Sequence, residues 1–166
     1  MQETWNIENP QLLLIDGFHP VIFKQREGMR GGGVRFYIKN CISYEIIDVC
    51  SPFENKIIES LTLLLKFPNK SKCYVTSIYR SNGSLPNITQ NDQMLRFLNA
   101  FNDLLAQLVV KSHVSFVFTN SNINLISENI PQYANYLNTM FSHGFLLLNT
   151  KSSRMIDGSS SPHIIQ

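Results

Sequence analysis

Ile57-Ile58-Glu59-Ser60-Leu61-Thr62-Leu63-Leu64-Leu65, then the turn residues Pro68-Asn69, then Cys73-Tyr74-Val75-Thr76-Ser77-Ile78-Tyr79, form the stretch that decides the fold class. Both runs are dense in β-branched, aliphatic and aromatic residues, and turn chemistry separates them, so they predict two paired strands. Tyr44–Val49 reads the same way and is set off by Ser51-Pro52, which extends the pair to an antiparallel meander. Downstream the period changes. Met94, Phe97, Leu98, Phe101, Leu104, Leu105, Leu108 and Val109 recur at helical spacing, with Asn91 or Asp92 as the expected cap. Val114–Phe118 predicts a short buried strand, and Ser121–Asn129 a polar loop. Pro131 is suited to open a second helix, with Tyr133, Tyr136, Leu137, Met140 and Phe141 on one face and Gly144 at its end. Phe145–Leu148 predicts another buried strand, and the segment 150–166 is Ser-rich and polar.

Upstream, residues 12–18 read as a short buried segment ending at a turn. Lys24–Lys39 carries Lys24, Arg26, Arg30, Arg35 and Lys39 against Glu27 alone, a net +4, together with Gly28, Gly31, Gly32 and Gly33. It predicts a mobile, basic, glycine-rich loop running into a strand at Val34–Ile38. Strands followed by helix–strand–helix–strand make an α+β layered domain with a mostly antiparallel sheet.

Composition narrows the classes. The 166 residues suit one domain, and 43% hydrophobic content excludes a disordered or fibrous chain. Charged residues are only 16%, against roughly 25% in ordinary domains. The net charge of +2 makes no global case for nucleic acid. No apolar run approaches the roughly 18–20 residues of a membrane span, and the N-terminus lacks the features of a signal peptide. Cys41, Cys50 and Cys73 lack metal-ligand spacing and read as small core residues in a reduced, intracellular compartment. The carboxylates number twelve, so acid–base or metal chemistry has few groups to draw on.

Several short blocks, in order, resemble the endonuclease domain of non-LTR retrotransposons, a branch of the endonuclease/exonuclease/phosphatase superfamily related to the apurinic/apyrimidinic endonucleases. Glu3-Thr4-Trp5 resembles its "ETW" block. Arg30-Gly31-Gly32-Gly33-Val34 followed by Phe36-Tyr37-Ile38-Lys39-Asn40 resembles "RGGGVAIYVKN". Ile58-Glu59-Ser60-Leu61 resembles "FESL", and Ser77-Ile78-Tyr79-Arg80 resembles "IYRPP". Phe116 to Asn124 stands where the family has "IIGDFNIN", and Gly144-Phe145, Leu147-Leu148-Asn149 and Ser153-Arg154 look like "GF..LIN.PTR". The resemblance covers nearly the whole chain. It implies a four-layered α/β/β/α sandwich over residues 1–166, missing the first strand and the closing segment. It implies Mg²⁺-dependent hydrolysis of a DNA phosphodiester that primes reverse transcription, with a reverse transcriptase region of a parent polyprotein as neighbour. A functional domain of this kind is expected in the nucleus.

The resemblance also implies roles. Such hydrolysis needs carboxylates for a hard cation, a base for water, and donors for the phosphate. Glu3 matches the metal-binding glutamate. Tyr79 matches a tyrosine whose hydroxyl bonds the phosphate, and it also suits a strand-end aromatic packing on the core. Arg80 beside it is placed to touch DNA phosphate or to be solvated. Asn122 matches the asparagine of "GDFN", and Asn124 follows the same pattern. The departures are sharper. Asn120 occupies the position of the catalytic Asp, where an amide accepts no proton from water at neutral pH and brings no negative charge to a metal. Thr119 and Ser121 replace a glycine and an aromatic. The closing Asp-His is lost: after Ser159-Ser160-Ser161 come Pro162-His163-Ile164-Ile165, so His163 lacks the carboxylate that would fix its tautomer. Arg30, Arg35 and Lys39 of the glycine-rich block are candidates for nucleic-acid backbone contacts, and a solvated turn is the plainer reading of the same residues. The expectation is an endonuclease-like domain with impaired catalysis. The alternatives are a non-catalytic nucleic-acid-binding or interaction module, and a translated relic without function.

Overall fold

The protein is described by a computed structural model, which covers residues 13–26, 31–81, 83–123, 131–148, 154–156 and 159–161. It is a mixed α+β architecture. Strands β1 (Ile22–Lys24) and β2 (Val34–Phe36) form an antiparallel ribbon. A five-stranded sheet follows, with β3 (Ser43–Ile46), β5 (Ile58–Lys66), β6 (Lys72–Tyr79) and β7 (Val114–Asn120) in that order, and the short β4 (Phe53–Glu54) also pairing β5. Helix α1 (Gln90–Val110) crosses from β6 to β7, which are therefore parallel, while β3, β5 and β6 form the antiparallel meander. Helix α2 (Pro131–Ser142) follows β7, and β8 (Arg154–Ile156) pairs β9 (Ser159–Ser161) in a second ribbon.

The meander forms because β5 is central. Every residue from Ile58 to Leu65 is buried, so the run shows no in–out alternation, and its polar members Glu59, Ser60 and Thr62 are buried with the apolar ones. Its turn into β6 is held by Asn69, whose Oδ1 accepts from Ser71 N at 3.1 Å and Ser71 Oγ at 2.6 Å. The two faces of the sheet then bury different partners. On one, Ile58, Leu64, Tyr74 and Ile78 pack under the helices, against Phe97, Phe101, Leu104, Leu105, Leu108, Tyr136 and Met140. Phe101 stacks on Tyr136 at 5.0 Å and Phe97 on Phe101 at 5.7 Å between centroids. On the other, Leu61, Leu63, Leu65 and Cys73 pack with Ile22, Val34 and Ile38 of the ribbon side.

The helix ends have local causes. The N-cap of α1 is Thr89, not Asn91 or Asp92: its Oγ1 accepts from Asp92 N at 3.1 Å and donates to Asp92 Oδ2 at 2.7 Å. Gly144, with φ +75, ends α2 as expected. Its N–H donates to Phe141 O, and Phe145 N–H donates to Met140 O, the paired bonds of a Schellman cap.

Several expectations are corrected. Leu14 and Ile15 are exposed, so the described part of 12–18 is not a buried segment. The strand expected at Tyr44–Val49 stops at Ile46, and a 3₁₀ turn at Asp48–Cys50 follows. Val109 falls on the solvent side of α1, one step past the stripe. β7 is longer than Val114–Phe118 and is an edge among the described residues, with Val114, Phe116 and Phe118 substantially exposed. Phe145–Leu148 is not a strand: Leu148 is 84% exposed, and only Phe145 and Leu147 reach the helix-side core. Cys41 is exposed, unlike Cys50 and Cys73.

Candidate active site

The register of the sheet brings three separated blocks together. Glu59 of β5 stands opposite Tyr79 of β6, and Tyr79 opposite Asn120 of β7, so one row crosses three strands on the ribbon face. These residues belong to the "FESL", "IYRPP" and "GDFN" blocks of the resemblance. The row lies where β5 begins and β6 and β7 end, because β5 runs antiparallel and β7 parallel to β6.

Glu59 is 0% exposed, so its charge needs partners in the protein. Its Oε1 accepts from Arg26 Nε and from Lys56 N at 3.0 Å, and its Oε2 accepts from Gly33 N at 2.5 Å. Arg26 is itself only 8% exposed, and its guanidinium lies 5.7 Å from the centre of the Tyr79 ring. Gly32 covers the guanidinium at φ +98, and a Cβ there would collide with Arg26 Cζ. The described end of the glycine-rich block, Gly31–Gly33, is thus a closed cover with Gly32 and Gly33 buried, in place of the mobile loop expected from its composition.

Tyr79 is 5% exposed and packs in the core beneath Arg26. Asn120 is half-buried, and its carbonyl accepts the Arg80 N–H at 2.9 Å. Asn122 adopts φ +51 and donates from Nδ2 to Arg80 O at 2.6 Å, so its amide ties the end of β6 to the turn after β7. Arg80 points to the opposite, helical face. Its guanidinium lies 5.6 Å from the Phe97 ring centre and donates to Ser121 O at 2.9 Å, and burial lowers its pKa. Thr119, at the family's glycine, shares a 2.8 Å hydrogen bond with Tyr136 Oη, and burial pushes the Tyr136 phenol up to about 12.

The basic residues of the glycine-rich block are mostly turned inward. Lys24 Nζ donates to Ser51 O at 3.1 Å and lies 3.6 Å from Asp48, Arg26 is paired with Glu59, and Arg35 is buried. Lys39 is exposed and bridges to Phe18 through its backbone. Glu3, Arg30, Asn124 and His163 lie outside the described residues.

The row by itself offers no ligand set for a Mg²⁺ ion, and Glu3, the expected metal ligand, lies outside the described residues. The row's one carboxylate, Glu59, has both oxygens occupied by N–H donors, and Asn120 offers an uncharged amide. Among the described residues no group of three or more His, Cys, Asp and Glu side chains could hold a metal. No described helix is long and apolar enough to cross a membrane. The residues missed in the sequence are Arg26 and the structural importance of Glu59. The lone acid in the central strand is the available signal, since a fully buried carboxylate requires a cationic or N–H partner. No family model matches the chain, and no curated protein matches it in sequence.

Proposed function

We propose that the chain is an endonuclease-like domain of the non-LTR retrotransposon type, built on the four-layered sandwich of that superfamily and impaired in phosphodiester hydrolysis. The observation that carries this reading is the Glu59–Tyr79–Asn120 row. Blocks that resemble the family at three places in the chain meet at one end of one sheet, and the position that needs a carboxylate holds an amide. In an active enzyme of this class a Mg²⁺ ion neutralises charge developing on the phosphate. Here Asn120 supplies neither charge nor a base, and Glu59 is committed to Arg26. What remains is the scaffold, with Tyr79 at the position of the family's phosphate-binding tyrosine but packed beneath Arg26.

The test is conversion of supercoiled plasmid to open circle in Mg²⁺. We expect little or no nicking, and no full rescue by Asn120→Asp. Robust cleavage that Glu3→Ala abolishes would overturn the loss of catalysis. A purely electrostatic DNA-binding module is less well supported, because Arg26 is paired with Glu59 in the interior, Arg35 is buried and Lys24 is half-buried and bonded to Ser51 O.

A further inference from the structure

We infer that Arg26 and Glu59 are positioning residues for Tyr79, and that Gly32 and Gly33 serve this buried pair instead of gripping nucleic acid. That Tyr79 thereby faces a phosphate rests on the reading above; its placement by the pair does not.

Three observations converge. Glu59 is held on both oxygens, by Lys56 N on one and Gly33 N on the other, so its carboxylate presents a defined edge to Arg26 Nε. Glu59 and Tyr79 are directly opposed across β5 and β6, and the guanidinium paired with Glu59 also lies over the Tyr79 ring. Arg26 Nη2 is buried without a hydrogen-bond partner among the described residues, and the electron-rich face of Tyr79 lies 5.7 Å from the guanidinium carbon, within the range of a cation–π contact. The guanidinium is thus confined by the carboxylate, the ring and the bare Cα of Gly32. The ring, in turn, is confined by the guanidinium. The glycines are required because a side chain at position 32 would occupy the space of the guanidinium, and because position 32 needs a positive φ.

A structural role alone and a positioning role differ in what happens when the pair is replaced as a unit. Exchanging both charges for apolar residues of similar size is often neutral for stability. The experiment places 3-fluorotyrosine at position 79 and, as a control on the opposite face, at position 74, and records ¹⁹F spectra of the parent, Arg26→Met/Glu59→Leu and Gly32→Ala. We expect the double variant to melt cooperatively, its Tyr79 resonance to shift by more than a linewidth or to split, and the Tyr74 resonance to stay in place. Gly32→Ala keeps both charges but displaces the guanidinium, so the same Tyr79 shift is expected there. An unchanged Tyr79 resonance in either folded variant overturns the inference. So does loss of cooperative melting in both, which would make the pair a requirement of the whole fold. Titrating the unaltered fluorinated protein with a short DNA duplex tests the nuclease reading separately. A silent Tyr79 resonance there overturns the phosphate-side task and leaves the positioning result to the variants.

Discussion

The two faces of the β5–β6 pair are built on different principles. The helical face is an apolar seam: side chains at helical spacing on α1 and α2 meet alternate residues of the strands, and Phe97, Phe101 and Tyr136 stack along it. The ribbon face starts in the same way at Leu61, Leu63 and Leu65 and then changes character. At its end stand Glu59 and Tyr79, closed over by Arg26 and the glycines. Apolar packing is non-directional and tolerates small adjustments. A buried ion pair is directional, and leaving one partner alone is far worse than removing both. The site therefore sits on the face whose stability depends on specific partners.

The sharpest way to break the contrast is to remove one charge. Glu59→Gln leaves the Arg26 guanidinium buried against a neutral amide, and we expect a loss of about 3–5 kcal/mol in urea unfolding. Arg26→Met/Glu59→Leu should recover most of that loss; failure to recover would show that the two faces are not organised differently. On the helical face no second substitution offers such rescue. Leu105→Ala, at a fully buried position, should cost about 3 kcal/mol by the same measurement, through lost apolar transfer and the cavity left behind.

A smaller effect separates the faces by pH. Tyr136 is buried on the helical side, and burial raises its phenol from 10.0 to about 12. The folded state favours the neutral phenol, so this contribution is complete below about pH 10 and is lost as pH rises from about 10 to 12. The two-unit shift corresponds to about 3 kcal/mol as an upper figure, read as the difference in alkaline unfolding between the parent and Tyr136→Phe. A parallel decline in both proteins would rule it out. The smallest expected effect is at the helix cap. Thr89→Ala removes the bonds to Asp92 and should cost about 1 kcal/mol, without altering the row on the other face.

The local elements and the long-range contacts differ in how far the sequence shows them. The stripe from Met94 to Leu108 was legible because helical burial repeats every three to four residues, within a single element. Phe145–Leu148 is an apolar run but not a strand, because such a run shows affinity for a core without showing whether a neighbouring strand accepts it. There the burial does alternate, with Phe145 and Leu147 turned to the core, but no ladder forms. In the described part of the glycine-rich block, the basic residues Lys24, Arg26 and Arg35 are drawn to partners or buried, which a count of charges along the chain does not show. Arg26 and Glu59 are 33 residues apart, and Gly33 and Glu59 are 26 apart.

By itself, the sequence determined the helices, the central strands, the Schellman end of α2 and the amide at position 120, because periodicity, capping and side-chain chemistry act within a few residues along the chain. Only the tertiary structure decided that Glu59, Tyr79 and Asn120 share a row, that Arg26 closes over it, that Arg35 is buried, and that Arg80 is turned onto the Phe97 ring of the helical face. Strand register and the pairing of a buried charge depend on which distant segments become neighbours, and no local pattern encodes that choice.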